Sequence, residues 1–201
     1  MHQDLAAAGD LGLAQDLCAR LCHDLGGPLG SVTGALELLE QEPEAASVAR
    51  DSAEAMGHRL RLWRLIMGGG GALAREELGL VLGGALPGGR TQVDVSGLPA
   101  EELSAELVRA LLAAALLGGE ALPRGGVVHV AGDASGVAVW PEGRGSAWSP
   151  ALTAALAGEP VCGPRTVLAP LLLRLAAQAG MRVELLLGAS AEAAPLVLRA
   201  A

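Results

Sequence analysis

Between Leu17 and Glu42 the apolar residues Leu17, Leu21, Leu25, Leu29, Val32, Leu36 and Leu39 are spaced four, four, four, three, four and three apart. That spacing draws one stripe along an α-helix and fits no strand. His23 sits two residues from both Leu21 and Leu25, about 200° round the helix, so it is expected to point away from the stripe into solvent. Asp24 follows it directly, and Pro28 comes five residues later. Proline lacks an N–H, and its ring clashes with the preceding turn, so a kink is expected there.

The first helix is read from about Asp10 to Glu40. Gln41-Glu42-Pro43 ends it, because the residue before proline is disfavoured in the α region. A second helix follows from Pro43 or Glu44 to Met67, with Val48, Met56, Leu60, Leu62, Trp63, Ile66 and Met67 recurring at three and four. Glu44 early and Arg59, Arg61 and Arg64 late suit the helix dipole. Two helices joined by a tight turn make an antiparallel hairpin, whose remaining apolar face is naturally buried by a second copy. Gly68-Gly69-Gly70-Gly71 ends the second helix, and the expected domain boundary lies there, dividing residues 1–70 from 71–201.

Beyond the glycines, helical and alternating segments mix. Helices are expected over Ala74–Leu86, Ala100 to about Leu117, Pro150–Ala157 and Thr166–Ala179, the last with Gly180 as its C-cap. Pro87-Gly88-Gly89 reads as a turn, and Gly118-Gly119 as a helix break. Strands are expected over Thr91–Ser96, Val127–Ala131, Val137–Trp140, Met181–Leu187 and Pro195–Arg199, with Gly132-Asp133-Ala134-Ser135-Gly136 as a hairpin signal. The fold class is therefore α+β: a helical hairpin followed by a small mixed sheet with helices on one face.

Composition excludes several functions. The net charge is −8, which argues against nucleic acid, whose binders need basic patches. The chain has no Lys, Asn, Phe or Tyr. Without Lys there is no Walker A loop and no kinase-type lysine. The apolar runs are short and broken by Gly, Pro and Arg, so neither a signal peptide nor a membrane span is expected, and the chain reads as cytoplasmic. Cys18 and Cys22 lie one helical turn apart. A shared metal lacks further ligands there, so two semi-buried free thiols are expected and no metal. His2, His58 and His129 read as ordinary surface or sheet histidines.

His23-Asp24-Leu25 with Pro28 resembles the phosphoacceptor box of two-component histidine kinases. With Gly27-Pro28, Gly30 and the run Gly34-Ala35-Leu36-Glu37-Leu38-Leu39, the stretch is more similar to the bacterial dimeric histidine phosphotransferases of the ChpT type. The resemblance implies a homodimer whose hairpins form a four-helix bundle, and a second domain resembling a histidine-kinase ATPase domain that has lost ATP. It implies that His23 accepts a phosphoryl group from the receiver domain of a hybrid histidine kinase and passes it to a response regulator. Mg²⁺ is then expected on the receiver, with no cofactor on this chain.

Within that reading His23 is the nucleophile, and Asp24 accepts a hydrogen bond from its ring and fixes the tautomer. Gly26, Gly27 and Gly30 leave a shallow surface for a partner. Docking is expected on Gly27, Gly30, Ser31, Gly34, Ala35 and Leu38; for Ala35 and Leu38, flanking the bundle core is the other reading. Arg20 either steers an acidic receiver or is simply solvated. The long helix offers Ala113-Ala114-Ala115 where kinases use Asn for Mg²⁺, and Glu142-Gly143-Arg144-Gly145 only faintly echoes their adenine motif. Gly27 stands where phosphatase-competent kinases place Thr or Asn. A silent adaptor that binds response regulators, and a sensor-kinase fragment, remain the alternatives.

Overall fold

The computed structural model describes residues 2–86, 90–133, 136–186 and 193–201, with side chains from residue 9 onward. Helix α1 (His2–Glu37) runs unbroken through Pro28, starting earlier than the sequence suggested. Helix α2 (Ala45–Ile66) returns along it. The pairing is antiparallel: Arg59 on α2 reaches Asp24 on α1, and Leu17 joins Leu62, Trp63 and Ile66 in one core.

The apolar stripe of α1 does two different things. Leu17 is buried, while Leu29 and Leu36 are 53% and 54% exposed, and Leu39 is also exposed. The single hairpin therefore covers the stripe at the His23 end and leaves the turn end bare. The N-terminal part of α1 leans instead on the rest of the chain. Asp10 pairs with Arg174, and Asp16 accepts the Gly163 N–H at 2.6 Å.

Helix α3 (Arg75–Ala85) leads to strand β1 (Thr91–Gly97). Helix α4 (Ala105–Glu120) then crosses to β2 (Gly126–Asp133), which pairs parallel to β1. Strand β3 (Gly136–Glu142) pairs antiparallel with β2. After α5 (Pro150–Leu156) and α6 (Leu168–Gln178) come β4 (Met181–Leu185) and β5 (Leu196–Ala200). The strand order is β1-β2-β3-β5-β4. The fold is α+β, as the alternation of segments predicts.

Two details of α4 correct the sequence reading. The helix starts at Ala105 and not at Ala100, because the Ser104 hydroxyl caps it by accepting the Leu107 N–H at 3.3 Å. Nor does it break at Gly118-Gly119. Both glycines are buried inside the helix, where a Cβ would press on Val128 at 3.0 Å and on Leu86 at 2.7 Å. They allow close packing, and they extend the helix to Glu120. The expected turn at 87–89, the tip of the β2–β3 hairpin and Leu187 lie outside the described residues.

Val128, Val130, Val137, Val139, Leu196 and Leu198 turn one sheet face toward the core helices, and the fully buried Leu111, Leu112, Leu168 and Leu172 fill the layer between. Ala113, Ala114 and Ala115 are buried there too. The same core continues past Gly68–Gly71 into Leu62, Trp63 and Ile66, and Arg109 donates to the Ile66 carbonyl at 2.9 Å. Hairpin and sheet layer are thus packed against each other, which fixes what faces His23.

Candidate functional site

Pro28 creates the first feature of the site. Lacking an N–H, it leaves the carbonyl of Asp24, four residues earlier, without its helical donor. Arg59 of α2 fills the gap, its Nη1 donating to that carbonyl at 3.2 Å. The proline therefore ties the two helices together just below His23. Ser31 and Thr33 donate their hydroxyls back to the carbonyls of Gly27 and Leu29 at 3.2 and 3.1 Å.

His23 stands free on this scaffold, with its side chain 81% exposed. Its Nδ1 lies 3.4 Å from Asp24 Oδ1, a long contact that a bound partner can tighten. A carboxylate can only accept, so this neighbour favours the proton on Nδ1 and leaves the Nε2 lone pair facing outward. Asp24 is itself held: Arg20 Nε donates to its two oxygens at 2.9 and 3.0 Å.

Arg20 then reaches across to the last residue of α4, donating from Nη2 to Glu120 Oε1 at 2.6 Å. Its side chain is only 17% exposed. Arg20 is neither a solvated arginine nor a free steering charge, because its guanidinium is occupied by two carboxylates. Burial acts to lower its pKa, but Glu120 and Asp24 outweigh that and leave the guanidinium held above its ordinary value. At Glu120 burial pushes the carboxyl above its usual range, against the pull of Arg20 and with help from Asp24.

These groups line a cleft of 310 Å³ between the hairpin and the second half, floored by Leu62, Trp63, Ala85, Leu86 and Leu116. His23 and Arg59 stand at it together. Gly26, Gly27, Gly30 and Gly34 have open space where a Cβ would be, so the surface beyond His23 is shallow. Of the other expected docking residues, Leu38 is exposed and Ala35 is buried within the single chain.

Sequence reasoning missed Arg59 and Glu120 as parts of the site. Pro28 was the available signal for Arg59, since it announces an orphan carbonyl. Nothing local announces Glu120, which lies 100 residues from Arg20. The cysteines also differ from expectation, as Cys18, Cys22 and Cys162 are all exposed. His58 Nδ1 meets the Gly84 carbonyl at 3.2 Å, and His129 lies between Asp94 and Glu142 while stacking on Trp140. Among the described residues no group of His, Cys, Asp or Glu is placed to hold a metal ion. No helix among them is long and apolar enough to cross a membrane.

A family model for the histidine phosphotransferase C-terminal domain matches residues 75–190, more than half of the chain. The chain belongs to the histidine phosphotransferase family. A stretch of 69 residues is 36% identical to protein phosphotransferase ChpT of Brucella abortus (strain 2308). That match covers 33% of this chain and about a third (32%) of the relative's length. The fold is also similar to that of a bacterial phosphotransferase solved at 1.7 Å, with a TM-score of 0.76 and 26% identity over 94% of this chain and 95% of that one. The family match lies in the second half of the chain, so it says what the sheet layer belongs to.

Proposed function

We propose that this chain is a histidine phosphotransferase of a two-component phosphorelay, carrying a phosphoryl group between receiver aspartates on His23. The carrying observation is the exposed imidazole with Nδ1 against a fixed Asp24 and Nε2 outward. Nε2 attacks the phosphorus of an aspartyl phosphate in line, the P–O bond breaks, and the receiver's carboxylate leaves. The ring takes up positive charge as the P–N bond forms, and the Asp24 carboxylate stabilises it. Transfer to the next receiver is the reverse, with that receiver's carboxylate as nucleophile. The receiver supplies Mg²⁺.

Residues 1–70 carry the transfer in this reading. Two copies form a four-helix bundle over the bare end of the stripe, supported by the exposure of Leu29, Leu36 and Leu39. Residues 71–201 act as a degenerate ATPase-like layer that buttresses the site. Transfer without nucleotide is supported by the absence of Lys and Asn, by the burial of Ala113–Ala115 and by the engagement of Glu142 with His129. The donor is the receiver of a hybrid histidine kinase and the acceptor a response regulator. They dock on the open surface of Gly27, Gly30, Ser31, Gly34 and Leu38, in the cytoplasm.

The test mixes wild type and His23→Ala with a phosphorylated receiver, and separately with labelled ATP. Label moving from receiver to wild type alone is the expected result. Binding without transfer in both proteins would make the chain an adaptor, and labelling by ATP would make it a kinase fragment.

A further inference from the structure

Glu120 ends α4, yet it belongs to the surroundings of a histidine on α1. An acid at a helix C-terminus faces the negative end of the helix dipole, an unfavourable place. Partial desolvation of its carboxylate, whose side chain keeps 33% of its surface exposed, penalises the charge further. The fold nonetheless keeps a carboxylate there, and its one charged partner in the described hydrogen bonds is Arg20. Arg20 spends its Nη2 on Glu120 and its Nε on Asp24, so its position is set from two sides. The Asp24 carboxylate, held by that arginine, faces Nδ1 of His23.

We propose that Glu120 is a positioning residue for phosphotransfer, which acts through Arg20 and Asp24 to hold the proton of His23 on Nδ1 and keep Nε2 free to attack. This rests on the reading of His23 as the phosphoacceptor. The sheet layer thereby contributes a group to the chemistry of the hairpin: α4 supplies Glu120 at one end of a four-residue chain, and His23 stands at the other. Free imidazole in water favours the opposite tautomer, with the proton on Nε2, so the arrangement leaves a spectroscopic signature. A purely structural contact would instead show itself in stability. Glu120→Gln removes a charge from an unfavourable helix end and keeps an amide oxygen for Arg20, so the fold is expected to lose little.

The experiment compares full-length wild type, Glu120→Gln, Glu120→Ala and Asp24→Asn. Nitrogen-15 NMR reads the His23 tautomer. Labelling by potassium phosphoramidate, a small donor that needs no docking surface, reads the reactivity of the ring. Transfer from a receiver charged with acetyl phosphate reads the relay step. The expected result is Nδ1–H in wild type and a shift toward Nε2–H in the Glu120 variants. Labelling should slow roughly 10-fold for Glu120→Ala and roughly 100-fold for Asp24→Asn, with Glu120→Gln between wild type and alanine. Thermal midpoints of the Glu120 variants should not fall below that of wild type. An unchanged tautomer and rate in Glu120→Ala, with reactive wild type, would overturn the proposal. So would a rate loss that tracks a lowered midpoint while the tautomer stays as in wild type. If wild type takes label from neither donor, the phosphoacceptor reading itself fails, and the tautomer comparison still decides whether Glu120 governs His23.

Discussion

The double variant Leu29→Ala/Leu36→Ala tests the dimer. In one chain these side chains keep 53% and 54% of their surface exposed, on the stripe that α2 does not cover. Full burial of a leucine side chain is worth about 1.5–3 kcal/mol, so the half left bare offers about 1 kcal/mol on association. Each side chain occurs twice in a dimer. The double substitution therefore removes about 4 kcal/mol of association energy, or roughly a thousandfold in dissociation constant. The fold of the single chain should be little affected, because the lost surface is not in its core. Sedimentation velocity across a concentration series reads the effect directly. Wild type is expected to sediment as a dimer and the variant to dissociate, with the same helical content by circular dichroism. A monomeric wild type, or a variant that stays as tightly dimeric as wild type, would refute the reasoning.

Other consequences are open to single measurements. Gly126 has a φ of +143°, and a Cβ there would run into the Glu142 carbonyl; Gly126→Ala should cost at least about 2 kcal/mol, seen as a lower urea midpoint. Arg59→Ala strips the Asp24 carbonyl of its donor and should cost about 1 kcal/mol, whereas in a Pro28→Ala background, where the helical N–H returns, the same substitution should cost less; a double-mutant cycle measures the difference. Burial raises the Glu120 pKa, so the stability this shift contributes is present below the ordinary glutamate range and is lost as pH rises through the folded value. The urea midpoint of wild type should therefore fall relative to that of Glu120→Gln as pH is raised upward from about 4.5, and a difference that does not change with pH would contradict this.

Periodicity was enough to read the hairpin, because α1 and α2 carry their apolar residues at helical spacing and Pro43 separates them. Alternation was enough for the strands, and β2 and β3 pair antiparallel as far as Asp133 and Gly136, as the hairpin signal predicts. What the pattern does not encode is which part of a stripe meets which neighbour. Leu17 and Leu36 look alike in sequence, but one is buried by α2 and the core while the other stays bare. Gly118-Gly119 reads as a break from local propensity, yet close packing on Val128 and Leu86 overrides it. That override places Glu120 on the helix and in reach of Arg20. His23 and Asp24 were legible because they adjoin in the chain; Arg59 and Glu120 were not, because their link to the site is made only by folding.

The most direct test of the central claim is to map the phosphorylated residue. The full-length chain is incubated with a phosphorylated receiver, digested under alkaline conditions that preserve phosphohistidine, and analysed by mass spectrometry. Acid-labile phosphate on the peptide containing His23, absent from His23→Ala, is the predicted result. Phosphate on a peptide containing His2, His58 or His129, or on none, would contradict it.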